Sequence, residues 1–245
     1  MTWRESLREA ALDALALVLP VACAGCGGEG RELCGECRRA LRDLAVTDAV
    51  RTVAPDGVVV HAAARYDGLV RRVVLACKEG RTALAAPLAE LLAAALARSD
   101  PAPEVELCTV PTSRAAFRRR GVDPVRCVLA RTGWRPARVL RPARPHRVQK
   151  GLGREERREN LRGVHRARLR LDGRRFLIVD DVVTTGATVE AVAAAIRAAG
   201  GEVVGAVAIA ATPLRGPRRA AGPSAGDKVG SRGYGGLKGA KETTA

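Results

Sequence analysis

Residues 176–188 read FLIVDDVVTTGAT: an apolar run, two adjacent carboxylates at Asp180 and Asp181, then a turn of threonines around a glycine. Paired acids repel each other and resist dehydration, so at the mouth of a buried strand they call for a hydroxyl-rich or cationic ligand. Gly186 permits backbone angles closed to other residues, so successive N–H groups around it can point into one concavity. A helix starting at Thr188 would aim its positive end into the same space, and Thr184, Thr185 and Thr188 add hydroxyl donors. That is a cradle for phosphate. No lysine follows the glycine as in the GxxxxGK[ST] loop, so a nucleoside triphosphatase of that type is not supported. Across the turn the two carboxylates can accept hydrogen bonds from a diol, directly or around a divalent cation. Phosphate on one side and vicinal hydroxyls on the other describe a ribose 5-phosphate.

A second group of chemically capable residues lies near the start. Cys23, Cys26, Cys34 and Cys37 form C-x2-C-x7-C-x2-C within CAGCGGEGRELCGEC. Four thiols paired at that spacing can close a tetrahedral shell around Zn2+, and a closed shell leaves no position for substrate, so such a metal is structural. Lost metal binding or redox-active thiols are the alternatives to zinc. Cys77, Cys108 and Cys127 stand singly in apolar surroundings and read as small core residues.

The elements that must position these groups follow from apolar spacing. LCGECRRALRDL predicts a short helix, VTDAVRTVAPDG a linker, and Val58 to Tyr66 a strand. GLVRRVVLACKEG and TALAAPLAELLAAALARS have helical periodicity, and VELCTVP is a short buried strand. SRAAFRRRGVDPVRCVLARTG predicts a helix interrupted near Gly121 and Pro124, followed by a strand around ARVLR. RPARPHRVQKGLGREERREN is too basic to pack and predicts a loop ending in a short helix. The FLIVDD strand, a helix capped by Thr188 and ended at Gly200 and Gly201, and the strand EVVGAVAIAAT complete the series. Alternating strands and helices specify an α/β fold, a mainly parallel sheet flanked by helices, with ligands at the carboxyl ends of the strands. The division is an amphipathic helix and cysteine segment over residues 1–50, a main domain over 51–212, and a disordered basic tail over 213–245.

The chain has 245 residues, 47% hydrophobic and 28% charged, with a formal net charge of +16. The charge is local: positions 114–175 hold 21 basic residues against five acidic. A phosphate-bearing ligand suits that segment, while an aromatic content of only 2% leaves few platforms for stacked bases. No run approaches the roughly 18 uncharged residues that span a bilayer, and the acid-bearing N-terminus lacks the look of a secretion signal. The expectation is a cytoplasmic protein with no membrane insertion.

FLIVDDVVTTGAT resembles the phosphoribosyl pyrophosphate signature of type I phosphoribosyltransferases. The resemblance implies that Asp180 and Asp181 hold the ribose hydroxyls. Val182 and Val183 then lead into Thr184, Thr185, Gly186, Ala187 and Thr188, which bind the 5-phosphate. From about Ala11 to Thr212 the chain is similar to the ComF (competence protein F) family, which joins an N-terminal zinc ribbon to this transferase fold. The similarity rests on the cysteines, the signature, Tyr66 and Lys78, VPTSR at 110–114, RRG at 119–121, Gln149 with Leu152, and Arg157 with Asn160. The same succession is similar to glutamine phosphoribosylpyrophosphate amidotransferases. By that likeness Pro111, Thr112, Ser113 and Arg114 line the pyrophosphate pocket, and Gln149, Arg157 and Asn160 sit on a lid over the site.

The resemblance implies a phosphoribosyltransferase that uses Mg2+ and carries structural Zn2+, linked to DNA uptake. A non-catalytic adaptor that responds to phosphoribosyl pyrophosphate and binds single-stranded DNA or a competence helicase is the competing reading. A homo-oligomer is compatible with either. ComF members usually show RGFN where this chain has RGVD, so Val122 and Asp123 replace an aromatic and an amide near the acceptor side. His61, His146 and His165 have no metal spacing.

Overall fold

The apolar stretch Phe176–Val179 is buried on both faces because its strand lies inside a five-stranded sheet. The computed structural model describes residues 21–112, 114–143 and 163–212. The expected N-terminal helix, Ser113, the lid residues Gln149, Arg157 and Asn160, His146 and the basic tail lie outside the described residues.

Chain order runs helix α1 (Gly35–Thr47), strands β1 (Val50–Val53) and β2 (Val59–Arg65), helices α2 (Gly68–Lys78) and α3 (Ala85–Ser99), and strand β3 (Glu106–Thr109). Helices α4 (Arg114–Arg120) and α5 (Pro124–Leu129), strands β4 (Leu140–Pro142), β5 (His165–Ala167) and β6 (Arg175–Val183), helix α6 (Ala187–Arg197) and strand β7 (Glu202–Ala211) follow. The sheet order is β1-β2-β7-β6-β3. Within this sheet only β1 pairs antiparallel; β2, β7, β6 and β3 are mutually parallel. The expected fold class is therefore the observed one.

Alternation along the strands splits the core into two layers. Leu177 and Val179 of β6 join Val207 and Ile209 of β7 under α1, α2, α3 and α5. Phe176 and Ile178 join Ala206 and Ala208 beneath Val189, Val192 and Ile196 of α6. Small residues in β7 let α6 approach closely, and its apolar residues recur at helical spacing on that one face. The segment Thr82–Ser99 has the length and composition of a membrane span, but half of it is buried within the fold, where Leu88, Leu91 and Leu92 pack into the first layer.

Three expectations need correction. Residues 50–53, read as linker, form the antiparallel edge strand β1, with Val50 opposite Ala62 and Val53 opposite Val59. The strand around ARVLR lies outside the main sheet and pairs antiparallel with β5 in a separate two-stranded sheet. Helix α6 begins at Ala187, so Thr188 sits inside its first turn and Gly186 occupies the cap position. Glycine holds that place because φ there is 77°, in the left-handed region.

Candidate functional site

Strand β6 carries Asp180 and Asp181 beyond its last pair with β3, Thr109 opposite Val179, while remaining paired with β7 as far as Val183. The acids thus stand where the short β3 has ended and one side of the strand is free. Alternation sends their side chains to opposite faces of the sheet. Lys78, the last residue of α2, donates from Nζ to Asp181 Oδ1 at 2.8 Å, with side chains 24% and 15% exposed. Asp180 forms no ion pair among the described residues. Its Oδ1 accepts the amide of Asp181 at 2.8 Å. Burial, and after it the charge of Asp181, pushes the Asp180 carboxyl up to about 7. Lys78, engaged by Asp181, offsets this only in part, and sites that bind ligands are where such a deficiency is tolerated.

Past the acids, the turn of residues 184–186 leads into α6 with no side chain capping the helix. Thr185 Oγ1 accepts the amide of Ala187 at 3.4 Å, and Thr184 is exposed. A Cβ on Gly186 would come within 2.9 Å of Pro55 Cδ and 3.0 Å of Ala54 Cα, so the loop after β1 presses directly on the turn. The first-turn amides beyond Ala187 and the helix dipole favour an anion here, and the segment from Asp180 to Val189 encloses a hollow of about 20 Å3.

The turn after β3 brings Pro111 and Thr112 beside the same end of β6, with the Val110 amide donating to the Val179 carbonyl at 3.3 Å. Thr112 Oγ1 donates to Asp123 Oδ2 at 2.8 Å. Asp123 Oδ1 accepts the Arg126 amide at 3.2 Å and so caps α5, whose first residue is Pro124. One carboxylate therefore fastens the turn to a helix. An Asp-Pro pair at a helix start carries that signal in sequence, yet Asp123 was read only as a replaced amide. Arg114 opens α4.

At the other end of α2, the Sγ atoms of Cys23, Cys26, Cys34 and Cys37 all lie within 4.8 Å of one another. Tetrahedral Zn–S bonds of about 2.3 Å place sulfurs about 3.8 Å apart, so the cluster fits a zinc ion. Cys26 and Cys34 Sγ are 3.9 Å apart, far beyond disulfide length. Amides of Gly25 and Cys34 donate to Cys23 Sγ, and that of Cys37 to Cys34 Sγ, each at 3.4 Å. Burial opposes ionisation of Cys23, but amides of Cys26, Cys34 and Gly25 outweigh it and bring the thiol down to about 6. Burial and the neighbouring sulfurs push Cys37 up to about 12. The quartet cannot carry four negative charges without a cation among them.

This segment is docked by residues that sequence reasoning passed over. Arg72 Nε donates to the Gly25 carbonyl at 2.7 Å, and an Arg81 NH2 to the carbonyls of Ala22 and Glu32 at 2.6 and 3.1 Å. A Cβ on Gly25 would meet Cys37 Sγ at 2.5 Å and Leu69 Cδ1 at 2.7 Å, so the knuckle lies flat on α2. Cys77 and Cys108 are buried in the core, as their apolar surroundings suggested.

No curated protein matches the chain. The crystal structure of orotate phosphoribosyltransferase from Mycobacterium tuberculosis H37Rv, in complex with Fe(III) dicitrate, is similar at 20% identity over 70% of this chain and 82% of that one, with a TM-score of 0.33. The family model described as the phosphoribosyl transferase domain matches residues 65–232, a span that takes in Lys78, both turns and the two aspartates. The chain belongs to the phosphoribosyl transferase domain family.

Proposed function

We propose that the chain is a ComF-like phosphoribosyltransferase of the cytoplasm, linked to DNA uptake, which transfers the phosphoribosyl group of phosphoribosyl pyrophosphate to a nucleophilic acceptor. The observation that supports this most is the pairing of one lysine-held and one cation-poor carboxylate with an uncapped helix start five residues on. Asp180 and Asp181 would accept the ribose hydroxyls, and residues 182–188 would hold the 5-phosphate through amides and threonine hydroxyls. Pro111, Thr112, Ser113 and Arg114 would face the pyrophosphate, with Gln149, Arg157 and Asn160 on the lid. Segments 1–50, 51–212 and 213–245 are assigned accordingly to the cysteine segment, the transferase domain and a basic tail.

Transfer breaks the bond between the anomeric carbon and the pyrophosphate oxygen, while a lone pair of the acceptor forms the new bond to that carbon. Negative charge grows on the leaving group and positive charge on the sugar, so fixed cations and oriented donors do most of the work. Mg2+ bound with the substrate would offset charge on the pyrophosphate. On this chain the Lys78 contact keeps Asp181 aimed, and the Asp123 latch keeps Thr112 in place. Cys23, Cys26, Cys34 and Cys37 would hold structural zinc.

The test is turnover of labelled phosphoribosyl pyrophosphate with Mg2+ and candidate bases, amines or DNA ends. Release of pyrophosphate together with a ribosylated product is expected. Binding without product, combined with salt-sensitive affinity for single-stranded DNA, would replace this reading with the adaptor.

A further inference from the structure

Lys78 is the last residue of α2, and the chain just past it folds back onto the helix. Gly80, at a φ of 108°, lets its own amide donate to the Cys77 carbonyl at 3.2 Å and the amide of Arg81 to the Ala76 carbonyl at 3.1 Å. Paired bonds of this kind around a left-handed glycine close a helix and leave the residues after it little freedom. Arg81 is therefore a fixed extension of the helix end that carries Lys78.

The Arg81 side chain points to the cysteine segment. Its Nη2 donates to the carbonyls of Ala22 and Glu32, at 2.6 and 3.1 Å, and its Nε lies 3.8 Å from Glu32 Oε2. Ala22 immediately precedes Cys23 and Glu32 stands just before Leu33 and Cys34, so one nitrogen joins both arms of the quartet. The Glu32 carbonyl also accepts the amide of Ala24 at 2.9 Å, which ties the arms to each other. Zinc would hold the sulfurs at the spacing that keeps the arms together. Without a cation the thiolates repel, the arms part, and a single nitrogen no longer meets both carbonyls. On the helix side, Lys78 Nζ meets Asp181 Oδ1 at 2.8 Å, and a displacement of the helix end by about 1 Å would carry that pair beyond hydrogen-bond length.

We propose that Arg81 is a positioning residue: it holds the end of α2 against the zinc-loaded cysteine segment so that Lys78 keeps Asp181 aimed, and zinc and a phosphoribosyl ligand thereby raise each other's affinity. The inference rests on the assignment of Asp180 and Asp181 to the ribose hydroxyls. Arg81 acts through Lys78 and takes no part in the chemistry. Such coupling is reciprocal and amounts to at least about fivefold.

Titration calorimetry with ribose 5-phosphate on the zinc-loaded chain tests this as a double-mutant cycle of Arg81→Ala and Lys78→Gln. Each single variant should bind about fivefold more weakly, and the double variant no more weakly than Lys78→Gln alone. A merely structural arginine would make the two losses multiply; that result, or unchanged affinity in either single variant, would overturn the inference. If Arg81→Ala does not fold, chelation takes its place. Stripping zinc should then weaken the intact chain about fivefold and leave Lys78→Gln unmoved, whereas an equal loss in both would overturn the inference. If the intact zinc-loaded chain binds no ribose 5-phosphate, the assignment of the acid pair fails, and the role of Arg81 is read from stability alone. Lys78→Gln should lower the urea midpoint of the zinc-loaded chain but not that of Arg81→Ala or of the chelated chain, and equal drops would overturn the inference.

Discussion

The two ends of α2 meet chemically opposite neighbours. At its start, α2 receives the cysteine knuckle, where four sulfurs face inward on one another and backbone amides already satisfy the most acidic of them. At its end, Lys78 reaches a carboxylate pair beyond the end of β3, of which Asp180 is half-buried and has no ion-pair partner among the described residues. A closed shell can stabilise the fold but leaves nothing for a substrate to bind. An open set of uncompensated groups costs stability and is retained where a ligand completes it. On the proposed function, chemistry belongs at the carboxyl end of β6, and the cysteines brace the helix that supplies its lysine.

Substitutions can break this contrast from either side. The largest effect should come from Gly186→Val, which adds a Cβ against Pro55 and Ala54 at a φ of 77° and so distorts the turn amides. We expect ribose 5-phosphate affinity to fall more than about 100-fold, or about 3 kcal/mol, by calorimetry. Unchanged affinity would remove the turn from the site. Next is metal removal: Cys37→Ala or a zinc chelator should lower Tm by about 10 °C, on the order of 3 kcal/mol for a domain of this size, while far-UV dichroism of the sheet persists. A Tm indifferent to chelation would mean that the cluster braces nothing.

The open site predicts the reverse sign. Asp180 is pushed up to about 7 from an ordinary 3.8, so the folded state favours its protonated form. The folding penalty is absent below about pH 4, grows as pH rises and is complete above about 7. Asp180→Asn should therefore stabilise the ligand-free protein by about 2 kcal/mol at pH 8 and by nothing at pH 4, as read from urea midpoints. A stabilisation equal at both values would point to packing and not charge. The smallest effect belongs to Lys78→Gln, which leaves Asp181 without its cation and should cost about 1 kcal/mol in the same assay.

The contrast also marks how far the sequence could be read. Residues 175–211 were legible because an apolar run, a glycine turn and helical spacing occur within one short stretch, where local rules suffice. β1 was missed since it is an edge strand whose burial alternates only between half-buried and exposed, so its residues look like loop. β5 has three residues, and its partner β4 lies more than 20 positions earlier, so nothing local announces it. The pairing of Lys78 with Asp181 spans 103 residues and depends on how α2 crosses the sheet. The guanidinium hydrogen bonds from Arg72 and Arg81 end on backbone carbonyls, which have no sequence identity to match, and the ion pair of Arg81 with Glu32 joins segments far apart in the chain.

Calorimetry of phosphoribosyl pyrophosphate with Mg2+, on the intact chain and on Asp180→Ala/Asp181→Ala, tests the central claim most directly. The account predicts saturable binding to the intact chain and a loss of affinity of at least about 100-fold in the double variant. Equal affinity in the two proteins, or no heat from the intact chain, would contradict it.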